Sequence, residues 1–230
     1  MTLSGHVFSA PDGVRGFDTA ESVVASAALA FRRAGYRFAV RYVRRDKPHA
    51  SALKASEAKS LLNVGVGLMI VQYVESESAW TPSATKGTRN GGVAASECEL
   101  LGLPWGVTVW CDLEGVAPGT SSQRVIDYCN AWHAAVSGAG YVPGVYVGYR
   151  AGLTPTQLYR ALRFTHYWGA YNLNVDRYPA VRGLQMKQSR ARASDRPRGV
   201  GIDFQTDRVR ADALGGRPTL VALDGWPELP

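Results

Sequence analysis

The amino-acid sequence predicts an α/β fold: a single (β/α)8 barrel of the TIM type whose later helices are short and irregular. Short apolar segments alternate with amphipathic segments along the chain, which indicates β-α-β units and a parallel sheet. Roughly eight strand candidates can be distinguished, the number that closes such a barrel. The length of 230 residues suits one barrel domain.

The first part of the chain shows the alternation most clearly. Strands are predicted over residues 14–18, 36–43, 64–73, 106–112 and 144–148. Helices are predicted over residues 19–34, 51–62, 93–101 and 121–137. Residues 75–92 contain turn-forming residues, and a loop of this length over a barrel mouth is usually functional.

The second part is less regular. Thr154 and Pro155 open a short helix that extends to residue 162, because proline is favoured in a first helical turn. The last three strands are predicted over residues 166–170, 183–187 and 200–204. Residues 207–230 are expected to form a closing segment or tail, so that 1–230 is one domain with its core at about 14–206.

Composition restricts the partners and the compartment. The net charge of +7 and the pI near 9.5 favour anionic partners such as an acidic cell-wall polymer. No basic helix with interleaved aromatic residues is present, so we expect no nucleic-acid partner. No apolar run approaches the ~20 residues that cross a bilayer, so we expect no membrane insertion. We also expect a monomer.

The N-terminal residues 1–11 lack a charged region followed by an apolar segment, so no secretory signal is expected. The protein would then reach a cell wall after lysis or as part of a virion. The three cysteines have no CxxC spacing, and the four histidines are dispersed, which excludes a disulfide scaffold and disfavours a metal site. Neither a GxGxxG nor a GxxxxGK[ST] motif follows a strand, so no cofactor is expected.

The most informative segment runs from Val107 to Gly115. Alternate side chains of a strand face opposite sides, which separates an apolar set from Thr108, Trp110, Asp112 and Glu114. Asp112 and Glu114 are therefore expected to face the barrel axis at the C-terminal end of a strand. In barrel enzymes this end contains the active site.

Two further aspartates occupy comparable positions. Asp18 ends the first predicted strand and Asp203 lies in the last one, so both are expected near each other in a closed barrel. Clustered carboxylates repel each other, so at least one should have a raised pKa. N-capping of the following helix is the alternative role for Asp18. Asp207 and Asp176 are expected to be ordinary loop residues.

Aromatic, amide and basic residues also lie in or near strand ends. Such side chains suit the faces and hydroxyl groups of sugars, and together they favour a carbohydrate cleft. The candidates for substrate binding are Arg41, Tyr42, Gln72, Tyr146, Trp168 and Gln188.

Several short motifs resemble those of one known group. The glycoside-hydrolase-like domain once called DUF1906 has similar segments in the same order, and that domain is similar to the family-25 glycoside hydrolases, the Chalaropsis-type lysozymes. The resemblance covers residues 14–206. It rests on Gly16-Phe17-Asp18, Arg41-Tyr42, Asp112-Leu113-Glu114, Gly144-Val145-Tyr146 and Gly201-Ile202-Asp203.

The resemblance implies a barrel that cleaves cell-wall glycan, with peptidoglycan as the expected substrate. Glu114 then matches the proton donor and Asp112 the carboxylate that assists at the anomeric centre. Asp18 and Asp203 match the acidic residues of the first and last strands. A phage lysin or virion-associated wall hydrolase would suit this chain. A non-catalytic glycan-binding barrel and a structural part of a phage particle are the alternatives.

Overall fold

A computed structural model describes residues 3–76, 79–212, 214 and 216–227. Ten strands form one sheet, and five α-helices connect them. The strands are β1 (His6–Ser9), β2 (Arg15–Thr19), β3 (Phe38–Val43), β4 (Gly67–Gln72), β5 (Thr108–Leu113), β6 (Val142–Val147), β7 (His166–Gly169), β8 (Met186–Arg190), β9 (Gln205–Val209) and β10 (Thr219–Ala222). The helices are α1 (Ala25–Arg33), α2 (Ala55–Asn63), α3 (Ala84–Leu101), α4 (Ser122–Gly138) and α5 (Pro155–Arg160).

Eight strands, β2 to β9, close into a barrel. Neighbours pair in the order β4-β3-β2-β9-β8-β7-β6-β5, and the pairing of β5 with β4 completes the ring. The strands from β2 to β8 that are neighbours along the chain pair in parallel, as the alternation of strands and helices predicts. The predicted closed α/β barrel is confirmed.

The last part of the barrel differs from the prediction. β8 covers residues 186–190 rather than 183–187, and β9 covers 205–209 rather than 200–204. β9 runs antiparallel to both β2 and β8. No α-helix lies between β8 and β9 to cover them, and Ser189, Arg190 and Arg208 are exposed, so neither strand has the apolar pattern of a buried parallel strand.

The predicted closing segment also contributes to the sheet. β10 pairs antiparallel with β1, a strand that the sequence pattern does not predict, and touches the barrel at the Val221–Leu68 pair. Leu220, Ala222 and Trp226 pack with the apolar side chains inside the barrel. These residues close the end of the barrel opposite the carboxyl ends of the parallel strands.

Helix α1 begins later than predicted, and helix α3 begins earlier. α1 begins at Ala25, not at residue 19, so Asp18 is not its N-cap. α3 begins at Ala84, within the predicted loop, and Ser83 caps it by accepting a hydrogen bond from the amide of Lys86. Gly87 and Gly91 fall within the predicted loop, but they lie where α3 meets α4, and a Cβ atom on either would collide with the α4 backbone.

The strand side chains divide into two layers. One set packs outward against the helices and forms the larger apolar core, with Phe17, Val109 and Val145 among its members. The other set fills the barrel interior, where Trp110, Trp168 and Met186 lie beneath the carboxyl ends of the strands. Because of this alternation, only every second strand residue can belong to a site inside the barrel.

An ion pair is buried in the outer layer. The guanidinium of Arg41 donates from Nε to Glu57 Oε1 of α2 at 2.6 Å, and it also donates to the carbonyl groups of Thr19 and Ser51. Glu57 in turn accepts a hydrogen bond from the amide of Val23. Arg41 therefore connects β3, α2, the end of β2 and the loop that follows β3. Among the described residues, no helix is long and apolar enough to cross a bilayer.

We expect Arg41→Ala to lower the free energy of unfolding by about 3–5 kcal/mol, because it leaves the buried Glu57 carboxylate without its counter-charge. Urea unfolding of both proteins at pH 7 measures the difference. Arg33→Ala is the matched control, since Arg33 is exposed on α1. Equal losses of unfolding free energy in Arg41→Ala and Arg33→Ala would contradict a structural role for Arg41.

Candidate functional site

The site is built around β5, the strand that the sequence singles out. Thr108, Trp110 and Asp112 alternate with residues of the outer core, so Asp112 faces the barrel interior at the end of the strand. Asp112 is 6% exposed, whereas Glu114, just beyond the strand, is partly exposed. The pair therefore places one carboxylate deep in the barrel mouth and the other nearer its edge.

A second pair of carboxylates lies across the barrel from β5. Asp18 of β2 accepts a hydrogen bond at Oδ2 from Gln188 Nε2 of β8 at 2.9 Å. Asp207 of β9 accepts one at Oδ1 from Trp168 Nε1 of β7 at 2.9 Å. Asp207 is opposite Gly16 in β2 and opposite Gln188 in β8, so its side chain shares their inward face.

Asp18 and Asp207 are close enough to affect each other's ionisation. Burial is the main cause that raises the pKa of Asp18 to about 6 and the pKa of Asp207 well above its usual value, and the charge of Asp18 raises the pKa of Asp207 further. Two neighbouring carboxylates in a buried site repel each other, so the pair is most stable when it shares one proton. Asp207 Oδ2 is buried and has no hydrogen-bond partner among the described residues, which suits it to hold this proton.

Tyr42 and Tyr146 lie within electrostatic range of the carboxyl groups from both sides of the barrel. Burial first, and then the fields of Asp18, Asp112 and Glu114, raise the pKa of both phenols; Asp207 adds to the effect at Tyr146. The hydroxyl of Tyr146 donates to Gln188 Oε1 at 3.0 Å. This bond orients the amide so that its nitrogen points at Asp18.

Aromatic rings border this space. Tyr42 lies 4.7 Å from Tyr73, and Tyr73 lies 4.3 Å from His49, measured between ring centroids. On the other side, Trp80 donates from Nε1 to the carbonyl of Glu114 at 2.6 Å, and so attaches the loop after β4 to the end of β5. The loop after β4, which is shorter than predicted because α3 begins at Ala84, therefore contributes to the site. Its residues 77 and 78 lie outside the described part of the chain.

Asp203 does not occupy the predicted position. It lies in the loop before β9 and is exposed, and its backbone bonds to Thr19 and Glu21. It is close enough to Asp18 to raise the pKa of that residue further, although burial is the larger cause. Asp207, which the sequence reasoning assigns to a loop, is the acid of the last barrel strand. The alternation of Gln205, Asp207 and Val209 is the signal that could have found it.

The predicted substrate-binding residues divide into two groups. Tyr42, Tyr146, Trp168 and Gln188 face the barrel interior, as expected. Arg41 faces α2, as described above. Gln72 also faces outward, where it donates to the carbonyl of Asn90 and accepts from Trp132 Nε1. Arg41 and Gln72 thus lie outside the barrel mouth because their strand neighbours Tyr42 and Val71 face inward.

The described residues contain no group of three or more histidine, cysteine, aspartate or glutamate side chains that could hold a metal ion. Cys98, Cys111 and Cys129 are buried and reduced, and burial raises the pKa of all three thiols.

A comparison of the chain with protein-family models decides its classification. Residues 29–204 match the Rv2525c-like, glycoside hydrolase-like domain. The chain belongs to this family. The match includes Asp112, Glu114 and Gln188, whereas Asp18 and Asp207 lie just outside it. No curated protein matches the chain.

Solved structures share the fold at low sequence identity. The Tat-secreted protein Rv2525c of Mycobacterium tuberculosis, in complex with L-tartrate, superposes with a TM-score of 0.63 and 18% identity, over 86% of this chain and 96% of that one. The lysozyme of Streptomyces coelicolor superposes with a TM-score of 0.58 and 15% identity, over 89% of this chain and 95% of that one. The CTP1L endolysin superposes with a TM-score of 0.62 and 12% identity, over 85% of this chain and 66% of that one. The predicted resemblance to a glycoside-hydrolase-like barrel is confirmed.

The shared proton predicts an unusual pH dependence of stability. The pKa of Asp18 is higher in the folded protein, about 6, than the ordinary 3.8, so its contribution to stability is complete below about pH 4 and is lost as the pH rises through 6. In Asp207→Asn the amide can donate to an ionised Asp18, so the pKa of Asp18 falls. The wild type should lose unfolding free energy between pH 4 and 7. We expect this loss to be smaller in Asp207→Asn by up to roughly 3 kcal/mol.

Urea unfolding at several pH values measures this slope, and Asp127→Asn is the control, because Asp127 is exposed on α4. The control should follow the wild type at each pH. Parallel curves for the wild type and Asp207→Asn would exclude a shared proton.

Proposed function

We propose that this protein hydrolyses a glycosidic bond of bacterial cell-wall glycan, with peptidoglycan as its substrate. The observation that carries the proposal is the placement of Asp112 and Glu114 at the end of β5, where the barrel interior also contains Asp18, Asp207, the buried Tyr146 and the half-buried Tyr42. Glycosidases use paired carboxyl groups on either side of the scissile bond. The family and the fold shared with the Streptomyces coelicolor lysozyme support the same chemistry.

The positions of the two β5 acids favour different roles. Glu114 is partly exposed at the edge of the barrel mouth, where it can donate its proton to the leaving oxygen as the bond to the anomeric carbon breaks. Asp112 lies deeper and, as a carboxylate, stabilises the positive charge that develops on the sugar ring. A water molecule then adds to the anomeric carbon as the new hydroxyl group, and its other proton returns to Glu114.

Asp18 and Asp207 act on this chemistry from a distance. Because they share a proton, the pair adds less negative charge to the site than two ionised carboxylates would. Tyr146 and Gln188 connect the pair to the space in front of Asp112. In this proposal they orient substrate or water, and the tyrosine hydroxyls remain protonated and able to donate hydrogen bonds.

The net charge of the chain suits an anionic wall. The chain has 26 lysine and arginine residues against 19 aspartate and glutamate residues, which attracts it to acidic polymers within about a Debye length. The fold of the CTP1L endolysin supports a phage lysin or virion-associated hydrolase as the setting of this activity.

A glycan-binding barrel without turnover is the second candidate. The observation that favours it is a cavity of about 560 Å³ that Gly148 and residues 149–154 help to line, which does not include Asp18, Asp112 or Asp207 in its wall. A glycan could occupy such a cavity without exposing its scissile bond to all four acids. Wall binding with no release of reducing ends would select this candidate.

Replacement of Glu114 by glutamine tests the leading proposal. We expect release of reducing ends from purified bacterial cell walls to fall by about 10²–10⁴-fold, because an amide cannot donate the proton that the leaving oxygen needs. Glu99→Gln, on the exposed surface of α3, is the matched control and should leave the rate unchanged. Circular dichroism confirms that both variants fold. Full activity in a folded Glu114→Gln protein would refute the assignment of the acid.

A further inference from the structure

The cavity beside Glu114 lies at the carboxyl ends of β6 and β7. Its walls are the segment 147–154, which follows β6, the segment 172–174, which follows β7, and two residues beyond them, Leu158 and Arg177. The volume of about 560 Å³ falls within the range of sites for small molecules and substituents.

Gly148 joins this cavity to the proposed acid. A Cβ atom at Gly148 would overlap the carboxylate of Glu114, so the absence of a side chain lets the carboxylate lie directly on the backbone. The amide of Gly148 also donates to the carbonyl of Leu113 at 3.1 Å. A substituent of a sugar bound at Glu114 can therefore extend into the cavity.

The chemistry of the cavity is opposite to that of the barrel mouth. Its lining includes two arginines and two asparagines but no carboxylate: Arg150, Asn172, Asn174 and Arg177. The Arg150 guanidinium has no hydrogen bond or ion pair with the residues that the structure describes, and it lies 5.8 Å from the Tyr149 ring. Within the described part of the chain, the Arg177 guanidinium meets only Asp176, at 4.0 Å between two well-exposed side chains.

The backbone holds Arg150 in a conformation that costs energy. Its φ of +52° is in the left-handed region, which a non-glycine residue adopts at a cost of about 1–2 kcal/mol. Two hydrogen bonds hold this turn: Gly115 donates to the carbonyl of Tyr149 at 2.9 Å, and Val116 donates to the carbonyl of Arg150 at 3.1 Å. Gly115 and Val116 directly follow Glu114, so the arginine and the acid are carried by paired loops.

We propose that this cavity binds a carboxylate-bearing substituent of the glycan, with Arg150 and Arg177 as its cationic contacts. The proposal rests on the proposed function and names the substrate class: a glycan whose sugars carry an ether-linked or peptide-linked carboxylate. The acid cluster repels such a group, whereas the guanidinium groups attract it. The acid cluster and the two guanidinium groups together orient the sugar, with its anionic side toward β6 and β7.

Binding to defined glycan strands tests the inference, in a Glu114→Gln background that prevents turnover. The probe is soluble glycan from amidase-treated cell walls, whose lactyl groups carry free carboxylates. The comparison probe is the same glycan after conversion of those carboxylates to methylamides. We expect the charged strands to bind about tenfold more tightly than the neutral strands, because each charge-assisted hydrogen bond contributes more than a neutral one.

The double replacement Arg150→Gln and Arg177→Gln should abolish this preference by weakening binding of the charged strands about tenfold while the neutral strands bind as before. Arg160→Gln, on the exposed side of α5 and outside the cavity, is the matched control and should preserve the preference. Equal binding of charged and neutral strands by the Glu114→Gln parent, or an unchanged preference in the folded double variant, would overturn the inference.

The same materials separate this inference from the proposed function. Arginine-dependent preference for charged strands, with no reducing ends released by the wild type, would support the cavity and refute hydrolysis. Hydrolysis that depends on Glu114, with equal affinity for both strands, would support the enzyme and refute the cavity.

Discussion

Strand β9 completes the barrel, and its register determines which carboxyl groups meet inside. It pairs antiparallel with β2 on one side and with β8 on the other, so that Asp207 lies opposite both Gly16 and Gln188. Gly16 has no side chain to compete for the interior, and Gln188 extends past Asp207 to reach Asp18. A shift of one residue in this pairing would turn Asp207 to the solvent and break the cluster.

Desolvation then sets the properties of the site. Asp18 and Asp207 lose their water together, and the least costly arrangement is a shared proton rather than two charges. The hydroxyl of Tyr146 and the amide of Gln188 continue this network toward Asp112. Glu114 remains at the more exposed edge, between this acidic interior and the arginine-lined cavity. The site therefore has a gradient of charge across one barrel mouth.

The residues that sequence reasoning placed correctly lie mainly on strands with strong patterns. β5 is covered by helices, so its outer residues are apolar and its inner Asp112 stands out by alternation. The same alternation could have separated Tyr42 from Arg41, because adjacent strand residues cannot both face the interior. Grouping residues by their position near a strand end, without regard to face, included Arg41 and Gln72 in the candidate site.

The sequence by itself determined the class of fold, the first six barrel strands to within a few residues, and the positions of Asp18, Asp112 and Glu114. These features depend on local periodicity, which a single chain displays. Only the tertiary structure decided that Asp207 replaces Asp203 in the interior and that an arginine-lined cavity borders Glu114. β9 has polar residues on both faces because no helix covers it, so its pattern resembles that of a loop until its partners β2 and β8 are known.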